Sequence, residues 1–155
     1  MRLSGACVNR KGALLCAFMG MGKFADAVRS FSNKAEARMS ATVRSAALEA
    51  LTRTVMLTPV DKGPARGNWQ VSLDGPITAA IDRKDKPGDV TIDAGSAVID
   101  GYGSGQTIFV VNNLPYIRRL ETGHSQQGKH MVQSVIDDWA GIVDQALEQA
   151  KRSYP

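Results

Sequence analysis

The sequence has few of the residues that build disulfide frameworks and metal sites. Cys7 and Cys16 are the only two cysteines among 155 residues, and both lie near the amino terminus. Two cysteines do not make a disulfide framework, and no set of cysteine and histidine residues has the spacing of a zinc site. This composition predicts a protein that assembles in a reducing cytoplasm and binds no metal.

The sequence also lacks a long hydrophobic run. No stretch approaches the roughly 20 apolar residues that span a bilayer, so we expect no membrane partner. Residues 1–20 resemble a signal peptide weakly, because basic residues precede a short apolar run but no clean cleavage site follows. We interpret residues 1–20 as a disordered amino-terminal extension, with Met19 or Met21 as the natural start. Residues 21–155 are then a single domain, which suits a chain of this length.

Recognisable catalytic motifs are absent as well. His124 and His130 are six residues apart, so they do not share a helix face, and no H-E-x-x-H or G-x-S-x-G pattern occurs. The glycine-rich residues 101–105 lack the Lys-Ser/Thr of a phosphate-binding loop. The aspartates between residues 82 and 93 lack the spacing of a calcium site. The sequence therefore predicts a protein that is not an enzyme and has no cofactor.

What the sequence does contain is an uneven distribution of charge. Residues 1–70 hold 11 Lys and Arg against 4 Asp and Glu, whereas residues 71–155 hold 8 against 11. Such asymmetry is typical of nucleic-acid contact or of complementary packing between subunits, and it equally fits a solvated basic helix face. The basic residues of that predicted face are Arg29, Lys34, Arg38, Arg44 and Arg53.

Two segments have the period of amphipathic helices. Between Lys23 and Leu57, apolar residues recur every three or four positions and no Pro or Gly interrupts them. A helix of about 30 residues is about 45 Å long, so we expect one end to project or to contact a neighbour. A second stripe predicts a long helix from Lys129 to Arg152 that buries Val132, Val135, Ile136, Trp139, Ile142, Val143, Ala146, Leu147 and Ala150. The first stripe consists of Phe24, Val28, Phe31, Ala35, Met39, Val43, Ala47, Leu51 and Val55.

Short strands are predicted between these two helices. Alternating polar and apolar residues predict a strand over residues 68–73, and the β-branched run at residues 107–112 predicts the strongest strand. Residues 90–92 are predicted to form a further short strand. Residues 77–81 fit either a strand or irregular structure.

The remaining segments complete a prediction of the fold class. Residues 94–102 fit either one or two helical turns or a mobile loop that includes the neighbouring glycines. Pro115 to Glu121 is predicted to be a short helix with proline in its first turn. The sequence therefore predicts an α+β fold: two long helices packed on a small antiparallel sheet of three to four strands, with a short helix after the last strand.

Two sequence blocks give a more specific indication. They are TPVDKG at residues 58–63, followed by Arg66, Asn68 and Trp69, and NNLPYIRRLETGHS at residues 112–125. In this order, and roughly fifty residues apart, they resemble the elements "TPVDTG-x-x-R-x-NW" and "NN-x-PYI-RRLE-x-GHS". Those elements occur in the bacteriophage tail-completion proteins, the tail-component family related to the minor tail protein Z of lambdoid phages. With the helices, the resemblance extends over about residues 21–150.

The chain departs from the family pattern at two places. Lys62 stands where a small hydroxyl residue is usual, which affects the hydrogen bonds of that turn. Residues 127–131 replace the commoner "QAPAGMV", which is expected to move the start of the last helix.

The resemblance implies a virion structural protein at the junction between head and tail, assembled in the host cytoplasm. Such a tail-completion or neck protein forms a ring of identical copies around the DNA channel. The partners implied are the tail terminator or tail tube and the head connector or head-closure proteins, with genomic DNA in the channel. The alternatives are another head-closure or tail-terminator protein, or a small basic nucleic-acid-binding protein.

The same blocks supply the candidate interface residues. Arg66, Arg118 and Arg119 carry forked donors that suit carboxylates of a neighbouring subunit. Trp69 and Tyr116 have the size to anchor an interface. Two alternatives stay open: Trp69 belongs to the core, and Asp61 or Glu121 binds the arginines within the same subunit. In the nucleic-acid alternative, the basic first helix follows the phosphates, and Trp69, Tyr116, Arg118 and Arg119 stack on bases or pair with them.

Overall fold

A computed structural model describes residues 8–123 and 130–155 of the protein, with side chains described from Gly22 onward. The fold is α+β, as the sequence predicts, and the described residues are mainly helical. The elements in chain order are α1 (Val8–Leu57), α2 (Pro64–Gly67), β1 (Trp69–Leu73), α3 (Asp89–Asp100), β2 (Ile108–Asn112), α4 (Ile117–Glu121), α5 (Met131–Asp137) and α6 (Trp139–Ser153).

The chain divides into two compact units. The first unit, Met1–Ala37, contains the amino-terminal part of α1, and the second, Arg38–Pro155, contains the rest of α1 and the other elements. The sequence predicts disorder over residues 1–20 and one domain from residue 21. That division stays a prediction: α1 begins at Val8, the boundary between the two units lies inside α1, and residues 1–7 of the predicted extension lie outside the described residues.

The first predicted helix, from Lys23 to Leu57, is confirmed as part of α1. It ends at Leu57 because Pro59 disfavours helical backbone at the residue that precedes it. Thr58 closes the last turn with two bonds to the same carbonyl. Its N–H donates to the oxygen of Thr54 at 3.1 Å, and its Oγ1 donates to that oxygen at 2.7 Å.

The sheet of the described residues has two antiparallel strands, β1 and β2, rather than the three to four that the sequence predicts. Their register runs from Trp69 opposite Asn112 to Leu73 opposite Ile108. The strands predicted over residues 68–73 and 107–112 are therefore confirmed to within one residue. Residues 77–81 are irregular and follow the outer edge of β1, where Gln70 Nε2 donates to the oxygen of Ala79 at 2.9 Å.

The strand predicted over residues 90–92 is wrong, because these residues form the first turn of α3. Asp85 explains the difference. Its buried carboxylate accepts from the N–H of Gly88 at 2.9 Å, from the N–H of Thr91 at 2.8 Å and from Oγ1 of Thr91 at 2.7 Å. These bonds satisfy donors that the start of a helix leaves unpaired, so a short β-branched run becomes helical. The open choice over residues 94–102 is also resolved, since α3 extends to Asp100.

The main core lies between α1, the two strands and α3. Its fully buried members include Leu51 and Val55 of α1 and Ile99 of α3, with Trp69 of β1 beside them. Gly95 allows α3 to approach α1 closely. A Cβ atom there would lie 2.3 Å from Cδ2 of Leu51 and 2.9 Å from Cγ2 of Val71, well inside van der Waals contact.

Three helices follow β2. The short helix predicted over Pro115–Glu121 is confirmed as α4, which begins two residues later. The long helix predicted from Lys129 to Arg152 is divided into α5 and α6 at Asp138, whose φ of −90° and ψ of 3° leave the helical region, and Lys129 lies outside the described residues. Ala46 of α1 packs with buried residues of these helices in a second cluster, which contains Val135, Ile142 and Ala146.

Candidate functional site

The fold brings the two motif blocks together at one corner of the second unit. Trp69 at the end of the first block faces Asn112 at the start of the second block across the β1–β2 ladder. The Asn112 side chain then reaches back to the first block, because its Nδ2 donates to the oxygen of Ala65 at 2.8 Å. Two segments roughly fifty residues apart in sequence therefore form one continuous surface.

A cleft of about 390 Å³ lies where the blocks meet. The first block contributes the turn after α1, including Asp61 and Lys62, and α4 contributes Tyr116 and Leu120. We call this the motif cleft. Its lining is Pro59, Asp61, Lys62, Gly63, Pro64, Ala65, Tyr116 and Leu120.

The guanidinium group of Arg66 is directed into its own chain. Nη1 donates to the carbonyl oxygens of Lys86 and Pro87, at 2.7 and 3.1 Å. Nη2 donates to those of Met56 and Thr58, at 3.0 and 3.1 Å. Arg66 therefore joins the end of α1 to the loop before α3, and its fork is occupied by main-chain oxygens rather than directed at a neighbouring subunit.

Trp69 lies in the core rather than at an interface, as one of the alternatives left open by the sequence has it. Its side chain is 5% exposed and packs with Leu51, Val55 and Ile99. The indole N–H donates to Oγ1 of Thr58 at 2.8 Å, so the polar edge of the ring is satisfied inside the protein. Trp69 thereby supports the first motif block from beneath, and it offers no surface for an interface.

Tyr116, Arg118 and Arg119 are exposed on and beside α4. The two arginines occupy the last turn of this short helix, where positive charge is favourable to the helix dipole. Exposed guanidinium groups offer planar donors to a second molecule, and an exposed aromatic ring offers it an apolar surface. All three side chains lie where a second molecule has access to them.

The two proposed carboxylates have different surroundings. Asp61 is exposed at the edge of the motif cleft. Glu121 accepts from the N–H of Val132 at 3.1 Å and from the N–H of Gln133 at 3.0 Å, which caps the start of α5. Among the side chains described, neither carboxylate forms an ion pair with an arginine of the motif blocks.

The predicted basic face of α1 is largely engaged within the chain. In the second unit, Arg38 donates to the oxygen of Tyr154, at 2.6 Å from Nη2, and Arg44 donates to that of Tyr102, at 2.7 Å from Nη2. Arg53 forms ion pairs with Glu49 at 2.6 Å and with Asp138 at 3.1 Å. In the first unit, Arg29 pairs with Asp26 at 3.4 Å. These bonds leave fewer free donors for phosphate groups than the sequence suggests.

A second concave surface was missed by reasoning from the sequence. It is an apolar groove of about 480 Å³ between α1, β2 and α6, and we call it the β2–α6 groove. Trp139, which the sequence pattern assigns to the buried stripe of the last helix, is 47% exposed at this groove. The width of that stripe was the sequence feature that could have indicated this groove. One edge of the stripe is buried, whereas Val132, Ile136 and Trp139 on the other edge are exposed.

Other possible sites are not found in the part of the chain that the structure describes. No group of three or more His, Cys, Asp or Glu residues is placed to hold a metal ion there. None of the helices searched is long and apolar enough to cross a membrane. Comparison with protein-family models, with curated proteins and with solved structures gives no match to this chain.

Proposed function

We propose that this protein is a structural component of a tailed bacteriophage virion, acting at the head–tail junction as a tail-completion or neck protein. The observation that carries the proposal is the convergence of the two motif blocks on one corner, joined by the Asn112–Ala65 bond. Residues that resemble one family's motifs, and that are far apart in sequence, form a common surface. This is what a shared interface requires.

The chemistry of this corner suits binding between subunits. Arg118 and Arg119 offer exposed donors, Asp61 offers an exposed acceptor, and Tyr116 is 39% exposed beside an open cleft. Positive and negative groups at one corner can meet complementary groups on an identical or a different subunit, which fixes the orientation of the contact. The role is structural, without catalysis or a cofactor. The partners are other copies in a ring and the adjoining tail and head-connector proteins, and the protein is located in the virion.

The test is complementation of a phage that lacks this chain. Wild-type protein is expected to restore complete particles, and Arg119→Glu is expected to leave heads and tails unjoined in electron micrographs, because it reverses a charge at the proposed contact. Arg152→Glu is the matched control, since it reverses an exposed arginine in the last turn of α6 instead of α4. Complete particles with Arg119→Glu would count against the proposed contact. Neck density without this chain would refute the function.

The nucleic-acid-binding alternative has less support. Arg38, Arg44 and Arg53 of the predicted basic face already bind oxygens of their own chain. Binding to phosphates would require these contacts to be exchanged or the remaining basic residues to suffice. Tight binding of the purified protein to duplex DNA, with a steep loss of affinity as salt rises, would favour this alternative over the structural role.

A further inference from the structure

The first unit has an apolar surface that faces solvent. Phe24 and Phe31 of α1 are 72% and 74% exposed, and Val28 between them is 50% exposed. They recur at intervals of four and three residues, so they lie on one side of the helix. We call these three residues the amino-terminal stripe. The two aromatic rings alone expose roughly 200–350 Å², which approaches the largest apolar patch of a typical soluble monomer, a patch that is often functional.

The second unit has an apolar surface that is concave. The β2–α6 groove has a volume of about 480 Å³, within the range of sites that enclose a bound group of drug size. Its walls are apolar side chains of α1, β2 and α6, and two of them remain open to solvent: Val43 at 38% and Trp139 at 47%. The wall residues that matter here are Val43, Ala47, Ile108, Val110, Trp139 and Val143.

Charge favours contact between these two surfaces in different copies. Residues 8–37 hold five Lys and Arg against two Asp and Glu, a net charge of +3. Residues 131–153, which comprise α5 and α6, hold four Asp and Glu against two Lys and Arg, a net charge of −2. Opposite potentials orient two molecules before their apolar surfaces meet.

From these observations we infer that the amino-terminal stripe of one copy docks in the β2–α6 groove of a second copy. Phe24, Val28 and Phe31 span about 10 Å along the helix axis, and they would enter the groove as adjacent apolar anchors, with Phe31 and Phe24 as the largest. This mode, in which an amphipathic helix lays its apolar side in a groove, is a common form of protein recognition.

A strand is the other occupant that the groove could take. The N–H of Asp74 donates to the oxygen of Thr107, so alternate residues of β2, Ile108 and Val110, direct their backbone groups away from β1. However, the outer edge of β1 is partly occupied by the segment that follows it, since Arg83 donates to the oxygen of Trp69 and the Gln70 side chain donates to that of Ala79. Pairing of two β2 strands would leave the amino-terminal stripe exposed. A docked helix would cover both the amino-terminal stripe and the β2–α6 groove, whereas a paired strand would cover the groove alone.

The inferred contact specifies how copies of the chain would join in the proposed function. Only its place in the virion rests on that function. Donor and acceptor are different surfaces of the chain, so the contact is head to tail. Such contacts close into rings when the rotation between copies allows it. A ring is the assembly that the proposed function requires.

The first experiment measures self-association of the purified full-length chain by sedimentation over a range of concentrations. Wild-type protein is expected to associate, and Phe31→Glu is expected to weaken association at least about 30-fold, because it removes an anchor and places a charge in an apolar groove. Asn33→Glu is the matched control, since it adds the same charge to the opposite, exposed side of the same helix. Wild-type protein that stays monomeric at about 100 µM, above the dissociation constants of weak complexes, would overturn the inference.

The second experiment tests the acceptor by mixing variants. Val43→Glu in the groove is expected to abolish self-association, as is Trp139→Glu, which serves if the first variant is poorly folded by circular dichroism. Phe31→Glu retains the groove and Val43→Glu retains the stripe, so an equimolar mixture is expected to form one-to-one dimers. Two results would refute the inference: a Val43→Glu variant that associates like wild type, which would indicate pairing of stripe with stripe, or a mixture that stays monomeric.

The two proposals fail in different ways. If the chain self-associates through the stripe and the groove but is absent from the virion, the proposed function is refuted and the contact is not. Complete virions assembled from Phe31→Glu, in a phage that requires the chain, would refute the contact and leave the function standing. Insensitivity of association to Phe31→Glu but sensitivity to changes in β2 would identify a strand as the occupant.

Discussion

The two parts of α1 have the same apolar period but different surroundings. In the first unit, Phe24 and Phe31 are 72% and 74% exposed. In the second unit, Leu51 and Val55 are fully buried. One sequence stripe with a single helical period therefore includes both the most exposed large apolar side chains described and two of the most buried ones. The period establishes that a helix has an apolar side, but it contains no information about what covers that side.

The cover of the buried part comes from segments that are distant in sequence. Trp69 of β1 and Ile99 of α3 pack on Leu51 and Val55, and polar bonds that have no helical period hold β1 and α3 in place. One of these is the bond from the indole of Trp69 to Thr58. The exposed part of α1 has charged residues instead, including the Arg29–Asp26 pair. A helix side that the described residues leave uncovered is available for a second molecule.

The comparison is tested most strongly by shortening one large side chain in each part of α1. Leu51→Ala is expected to lower the free energy of unfolding by about 3–5 kcal/mol, because it leaves a cavity in the core. Phe31→Ala is expected to change it by less than about 0.5 kcal/mol, because the ring is already exposed. Urea denaturation monitored by circular dichroism measures both, at a dilution that dissociates any assembly. Equal effects of the two changes would contradict the distinction between covered and uncovered parts.

The next prediction concerns the residue that starts α3 over the buried part of α1. Burial alone would raise the pKa of Asp85, but hydrogen bonds from Thr91 and Gly88 and the charge of Arg83 outweigh it, so the pKa lies below its ordinary value. Asp85→Asn is expected to lower the free energy of unfolding by about 2–3 kcal/mol at neutral pH, since it weakens charge-assisted bonds in a buried site.

The pH dependence follows from the direction of that pKa change. A lowered pKa in the folded state means that the ionised carboxylate stabilises the fold above the unfolded value of about 3.9. This stabilisation is lost as the pH falls toward the lower folded pKa, so the difference between wild type and Asp85→Asn is expected to shrink in acid. Denaturation at a series of pH values measures it, with the exposed Asp82→Asn as control. A difference that grows in acid would show that the sign is wrong.

The fold could be predicted from the sequence where local pattern decides structure. The first helix, the strands over residues 68–73 and 107–112 and the short helix after β2 follow from period, β-branched content and a proline in the first turn. The strand predicted over residues 90–92 failed because the deciding group, the carboxylate of Asp85, lies outside the run that was interpreted. The division at Asp138 was also missed, because the apolar period continues through it.

The candidate site was predictable only in part, for a related reason. The motif resemblance selected residues of both blocks, and the structure brings those blocks together. The resemblance did not indicate the direction of each side chain. Arg66 and Trp69 turn inward to the carbonyls after α1 and to Thr58, whereas Arg118 and Arg119 stay exposed. Those directions depend on the β1–β2 register and on the end of α1, which no single segment specifies.

The smallest expected effect concerns how closely α3 lies on the buried part of α1. Gly95→Ala is expected to lower the free energy of unfolding by roughly 1–2 kcal/mol, because the new methyl group meets the side chains of Leu51 and Val71 in a packed core. Gly141→Ala in α6 is the matched change, since no atom lies within 4 Å of its added carbon. It is expected to raise that free energy by about 0.5–1 kcal/mol through better helix propensity. The two changes add the same group to a helix, so opposite signs in urea denaturation would isolate packing from propensity. A stabilising Gly95→Ala would show that α3 can move away from Leu51, and that the cover of α1 is less tightly packed than its buried side chains suggest.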